Sequence, residues 1–287
     1  MKLKDYRCTG NSNLSFDDVD TGASAHIKQM KDELLERTTE NMERIAELQN
    51  RLFADGREGL VIALQGMDAA GKDSLIRHVM GAFNPQGVDV FSFRAPTTAE
   101  LNHDFLWRIA RCLPERGKIS IFNRSHYEDV ATVGVLKLYE HFTLPDRCLK
   151  GDFIAKRIEQ VNQFEQYLYD NGTRVVKIFL NVSKKTQTKR MLERIDTPEK
   201  NWKFNPHDLD SRALWSQYQR AYEECINLTS TKHAPWYVIP ADDKWFTRYL
   251  VSELLVDVLT RIDPCYPEPS TDLIARLPEY RNALTEK

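Results

Sequence analysis

The 287-residue sequence carries almost no excess charge of either sign. Its 40 basic and 42 acidic residues leave a formal net charge of −2 at pH 7. That excludes a global nucleic-acid-binding surface, so any basic surface is local. Paired cysteines are missing too. The five (Cys8, Cys112, Cys148, Cys225, Cys265) are odd in number and scattered, without metal-type spacing, which favours a reducing compartment. No apolar run approaches a membrane span. The opening Met-Lys-Leu-Lys-Asp-Tyr has no apolar centre of the kind a signal peptide needs. No internal repeat is present. The expectation is a cytoplasmic protein with no membrane or nucleic-acid partner, long enough for one large α/β domain.

What is present is organised around Leu60–Ser74. An apolar run, Leu-Val-Ile-Ala-Leu, precedes Gly66-x-x-x-x-Gly71-Lys72, and an amphipathic run (Leu75, Ile76, Val79, Met80) follows. This is the spacing of a phosphate-binding loop between a strand and a helix. Small residues (Gly66, Ala69, Ala70, Gly71) let backbone N–H groups close around phosphates, and the helix start favours an anion. Lys72 adds a full charge. The alternative is a glycine turn after a core strand. Two residues depart from the usual loop. Asp73 follows Lys72 where Ser or Thr usually holds magnesium, and Ser74 stands one place later. Asp68 puts a carboxylate inside the loop, at a cost of about 4 kcal/mol for like charges 4 Å apart at an effective dielectric of 20. A divalent cation between them removes that cost, so Asp68 reads as a metal-side residue; the alternative is a helix-entry cap.

Around this loop the chain divides into three parts. Residues 1–58 are a polar leader, with Gly10, Asn11, Asn13 and Asp17, and a long amphipathic helix over about 24–54 that stops at Asp55-Gly56. Residues 59–262 alternate strands (60–66, 88–93, 119–122, 174–182, 236–240) with helices, which implies a parallel sheet with helices on both faces. Those helices include 98–111, 130–139, 152–170, 205–229 and 245–262. Residues 263–287 form a proline-punctuated tail expected on the surface.

Ligands of such sheets bind beyond the strand carboxyl ends. Arg94 ends the second strand and is a candidate phosphate contact, or a surface arginine. The third strand runs into Asn123-Arg124-Ser125-His126-Tyr127-Glu128-Asp129, where phosphoryl-transfer enzymes place a metal-holding carboxylate. Arg124 suits a phosphate clamp. Glu128 and Asp129 are candidate metal ligands, Glu128 alternatively reading a small polar substrate; the bland reading is two acids favouring a helix start. After the fourth strand, Lys185/Lys189 and Arg190/Arg194 repeat at i,i+4. They describe either a solvated face or a helical lid, about 184–230, closing over phosphates. Trp215, Tyr218 and Tyr222 read as packing residues.

Several of these motifs together resemble the polyphosphate kinase 2 family. They are Gly66-Met-Asp-Ala-Ala-Gly-Lys-Asp73, His78-Val-Met, Asn84-Pro-Gln-Gly87, Ile121-Phe-Asn-Arg-Ser-His-Tyr-Glu-Asp129 and Trp202-Lys-Phe-Asn-Pro206, in order between about Ile27 and Ile262. The Asn123…Glu128 version is similar to the class III subgroup, so the resemblance gives these two residues acceptor selection. It implies a thymidylate-kinase-like P-loop fold, with transfer of a terminal phosphoryl group from inorganic polyphosphate to AMP or ADP using Mg2+. It further implies catalytic roles for Asp68, Lys72, Arg124, Arg190 and Arg194, and a homo-oligomer, dimer or tetramer. Val130–Val135 departs from an Arg-Val-His run of close relatives. The rivals are an ATP-dependent nucleoside monophosphate kinase and a non-catalytic P-loop binding module.

Overall fold

A computed structural model describes residues 3–10 and 13–285. Asn11 of the leader, Ser12, and the chain's first two and last two residues lie outside the described residues. The leader supplies β1 (Arg7–Cys8), followed by α1 (Ala25–Gln29) and α2 (Lys31–Asp55). β2 (Gly59–Gln65) leads to α3 (Lys72–His78), then β3 (Val88–Ser92), α4 (Thr98–Leu101), α5 (Trp107–Ala110) and β4 (Ile119–Asn123). Next come α6 (Glu128–Val135), α7 (Asp146–Leu149), α8 (Phe153–Asp170) and β5 (Thr173–Asn181). α9 (Lys184–Asp196), α10 (His207–Ala213) and α11 (Trp215–Thr229) precede β6 (Trp236–Pro240), α12 (Lys244–Ile262) and α13 (Thr271–Thr285).

The sheet order is β1-β6-β5-β2-β4-β3. The five strands expected from periodicity are all mutually parallel. The sixth, β1, runs antiparallel on β6, with Arg7 opposite Tyr237 and Cys8 opposite Trp236. Two residues carry no alternation, so sequence patterning is blind to it. The leader is otherwise stitched to the surface: Asn227 pairs with both backbone groups of Leu14, and Phe16 stacks on Phe179 at 4.9 Å.

β2 lies at the centre and is buried over its whole length. Leu60, Ile62 and Leu64 join a cluster with Ile45, Leu48 and Leu52 of α2 and Leu250 and Leu254 of α12. Val61 and Ala63 point the other way, to Phe122, Val175, Leu168 of α8 and Ile109 of α5. Each such aliphatic side chain contributes about 1.5–3 kcal/mol by burial, so the apolar run fixes β2 between two helical layers. From β2 the chain passes over β4 to the edge strand β3, returns to β4, and then crosses β2 to β5, so the winding reverses at β2. The crevice at the strand carboxyl ends there is where such folds hold ligands.

Several elements are shorter than periodicity implies. The long N-terminal helix breaks at Met30, and Gly56 ends it in the left-handed conformation (φ 65°) as expected. The 98–111 helix is two short pieces, and 205–229 divides at Leu214. The tail is not merely proline-punctuated loop: it contains α13, with Pro278 inside and no buried residue. Among the described residues no helix is long and apolar enough to cross a membrane.

Candidate active site

The loop between β2 and α3 takes the shape its small residues allow. Gly66 has φ 146°, and a Cβ there would stand 2.9 Å from the Leu180 carbonyl oxygen. Gly71 and Ala69 also take positive φ, 115° and 60°. Lys72 opens α3 with its side chain buried, donating to the Gly66 carbonyl at 2.6 Å and the Met67 carbonyl at 3.4 Å. Burial, reinforced by Arg124, pushes its ammonium down to about 8, against the pull of Asp68, Glu128 and Asp73.

At the end of β4, Arg124 has φ 64°. A non-glycine residue held there costs about 1–3 kcal/mol and persists only where surrounding structure over-determines it. The bend turns the guanidinium back over the loop, 2.6 Å from Asp68 Oδ1 and 3.9 Å from Glu128 Oε1. Asp68 and Arg124 therefore meet each other within electrostatic reach of buried Lys72. Asn123 beside them donates to Asp73 Oδ1 at 2.9 Å. That pairing gives both unusual residues, the Asp after the loop lysine and the Asn at the strand end, one local reason.

Glu128 is held on several sides. Thr132 Oγ1 donates to it at 2.6 Å and the Tyr222 hydroxyl lies at 3.5 Å. Gln65, oriented to satisfy its neighbours, donates to it at 3.0 Å and accepts from Ser125. Thr132 lies within the Val130–Val135 run, whose Val130, Ala131 and Val133 face the core.

α9 separates its two cationic pairs. Lys185 and Lys189 line an outer groove of 590 Å³ with Thr188, Leu192, Glu193 and Asp196. Arg190 and Arg194 point inward. Arg190 donates to the carbonyls of Ala69, Ala70, Ala241 and Asp242 at 2.6–3.2 Å, so it clamps the loop from behind. Arg194 pairs with Asp208 of α10 at 3.2 Å. Burial and Asp68 push the Asp208 carboxyl up, against Arg194, Arg124 and Lys72, which puts this acid within electrostatic reach of the loop.

Three residues expected in the site stand apart from it. Asp129 is not turned to the loop. It lies buried between Arg157 at 3.5 Å and Arg108 at 3.9 Å, with Arg108 also 3.8 Å from Glu100, so two carboxylates face two inward guanidiniums beneath Phe93, Phe105 and Phe153. The metal role expected for it gives way to a structural one. Ser74 turns its hydroxyl to Arg248 of α12 at 3.2 Å, away from the phosphate loop. The Arg94 side chain is exposed beyond the edge strand, and its carbonyl accepts from Arg108 at 2.8 Å. Residue-type reasoning missed Gln65, Gln187 (which donates to the Asp68 carbonyl at 2.9 Å), Asp208 and Tyr222. Their signals were faint: Gln65 is a polar end to an apolar strand, and Asp208 reads as a helix-start acid.

The donor set suits a magnesium ion shared with phosphates. Mg2+ takes one or two carboxylates and completes its shell with water and substrate oxygens. Asp68 and Glu128 offer those carboxylates, and Arg124 meets both as a cation. Among the described residues no group of three or more His, Cys, Asp or Glu forms a self-sufficient protein cage.

Comparison with known proteins gives a consistent result. The sequence profile of the polyphosphate kinase 2 family matches residues 28–265. The chain is 46% identical over 245 residues to the ADP-polyphosphate phosphotransferase of Rhodopseudomonas palustris, covering 85% of each. It is 43% identical over 272 residues to the AMP/ADP-polyphosphate phosphotransferase of Meiothermus ruber, covering 94% of this chain and 97% of that one. The crystal structure of polyphosphate kinase 2 from Arthrobacter aurescens superposes with a TM-score of 0.86 at 36% identity over 99% of this chain and 96% of that one. The matched span takes in the phosphate loop, Arg124 and the whole parallel sheet from β2 to β6, and this chain belongs to the polyphosphate kinase 2 family.

Proposed function

We propose that the chain is a polyphosphate-dependent nucleotide kinase, moving the terminal phosphoryl group of inorganic polyphosphate to AMP or ADP. The observation that carries this reading is the meeting of Arg124, Asp68 and buried Lys72 over the phosphate loop, in a chain 43–46% identical to phosphotransferases named for these substrates.

A phosphate oxygen of the acceptor attacks the terminal phosphorus in line. The new P–O bond forms as the bridging P–O bond breaks, and the chain leaves one unit shorter. Such transfers ask little covalent chemistry of the protein, mainly alignment and neutralisation of charge. Lys72 exchanges its carbonyl partners for phosphate oxygens, and Arg124 leaves Asp68 to face the transferred group. The loop amides of residues 66–74 position the phosphates. Arg194 is released from Asp208 as the lid, about 184–230, closes, while Arg190 keeps the loop in shape. Asn123 and Glu128 select the acceptor. Mg2+ at Asp68, with Glu128 beside it, supplies charge neutralisation when bound. Subunits associate as a homo-oligomer.

The test is product analysis after mixing the protein with Mg2+, polyphosphate, and AMP or ADP separately, against ATP with AMP. Nucleoside di- or triphosphate formed from polyphosphate and lost in Lys72→Ala supports the reading. Transfer from ATP alone makes the chain an ordinary nucleoside monophosphate kinase. Binding without turnover makes it a binding module.

A further inference from the structure

Beneath the Arg124–Glu128 turn lies a polar cluster sealed from solvent, which the phosphoryl-transfer chemistry does not use directly. Glu165 of α8 and Lys177 of β5 pair at 2.7 Å, both side chains 0% exposed. Lys177 Nζ also donates to the Thr229 carbonyl at 2.6 Å. The other oxygen of Glu165 accepts from the Tyr127 hydroxyl, and His126 Nε2 is 3.8 Å from it. Trp236 Nε1 donates to Thr229 Oγ1 at 2.8 Å. The Lys177 ammonium sits 5.5 Å and 5.6 Å from the rings of Tyr127 and Trp236.

A buried ion pair is a poor source of stability, because a well-packed apolar pair often does as well; geometry is its better-attested product. Two anchored places stand out. Tyr127 is three residues after Arg124 and one before Glu128, so its hydroxyl fixes the far side of the left-handed bend. Thr229 is the last residue of α11, where the lid chain returns to the core. β5, which carries Lys177, is the strand beside β2 and the phosphate loop.

We propose that Tyr127, Glu165 and Lys177 are positioning residues. Their buried hydrogen-bonded cluster holds the Arg124–Glu128 turn over the phosphate loop and registers it to the root of the lid. This rests on the polyphosphate kinase reading above. The cluster touches no substrate and acts through Arg124 and Glu128. Its loss is therefore felt in turnover more than in polyphosphate affinity.

The test compares wild type, Tyr127→Phe, and the apolar exchange Glu165→Leu with Lys177→Met, on polyphosphate with AMP and with ADP. Thermal unfolding reports folding. The expected result for Tyr127→Phe is kcat lower by about 10-fold or more, with KM for polyphosphate within about 2-fold. In an Arg124→Lys background the same substitution costs less than about 3-fold, because the Arg124 part of its route, the larger one on this proposal, is gone. Unchanged kcat in folded Tyr127→Phe, or an equal loss in both backgrounds, overturns the proposal. If the double exchange fails to fold, Tyr127→Phe decides alone. A wild-type protein inactive on polyphosphate overturns the reading beneath, and the proposal with it; an active wild type with unaffected variants overturns the proposal only.

Discussion

Lys72 carries its charge inside the protein, and this has consequences for stability and for rate. Its ammonium is pushed from the usual 10.5 down to about 8 by burial. The charged form is thus penalised in the folded chain by about 3 kcal/mol, fully below pH 8 and progressively less as pH rises toward the unfolded value. Lys72→Met removes that penalty but leaves the buried Gly66 and Met67 carbonyls without their donor, so the two effects offset and the melting temperature at pH 7 should move by no more than a few degrees, while turnover falls by about 100-fold or more. Scanning fluorimetry beside the assay checks both; a mutant that unfolds far below wild type would make Lys72 a structural residue first. The same depression predicts that kcat/KM for polyphosphate falls as pH rises through about 8, where free Lys72 loses its proton. The kcat limb lies higher, because bound phosphate favours the ammonium. Asn123 offers a second check. Asn123→Asp sets two carboxylates where one amide now donates to Asp73 at 2.9 Å, a loss of about 1 kcal/mol or more. Adding Asp73→Asn should restore the melting temperature, and no recovery would mean the pair does not matter.

The phosphate loop and α9 are elements that shape each other. The loop's unsatisfied carbonyls are met by Arg190 and Gln187 from α9. Arg212 of α10 in turn bonds Gln187 and Thr188 of α9 at 2.6 Å. Arg190 thus works first on the protein. Arg190→Ala orphans four carbonyls and should destabilise the fold by about 2 kcal/mol or more. Urea unfolding measures this, and a loss of activity with no loss of stability would return Arg190 to the substrate. Arg194 meets Asp208 and the Lys203 carbonyl among the described residues, and in the proposed reaction it is the α9 arginine that changes partners when phosphate arrives.

At the level of the subunit, α13 stands out. None of its described residues is buried, and Leu273, Leu277, Tyr280 and Leu284 recur along it as an exposed seam. A lone helix of this length is marginal in water, and proline inside weakens it further. An antiparallel second copy would set Leu273 against Tyr280 and Asp272 against Arg281. If α13 joins two copies, removing residues 271–287 should about halve the particle mass measured by light scattering. A mass lowered only by the residues removed would mean that α13 joins no second copy.

Local pattern was enough for the layered parallel sheet, for the loop and for its lysine. Each depends on neighbours in sequence: an apolar run for β2, small residues for the turn, a 3.6-residue stripe for α2 and α8. Side-chain partnership across the fold was not legible in that way. Asp129 and Glu128 are adjacent acids at a helix start, yet one faces two buried arginines and the other faces Arg124. A helix turns by about 100° per residue, and only the packed neighbours say which direction is the cleft. Arg190 and Arg194 share a face, but which carbonyls or acids meet them depends on where the loop and α10 come to rest. Residue types and spacing named the chemistry; long-range packing allotted each charged group its partner.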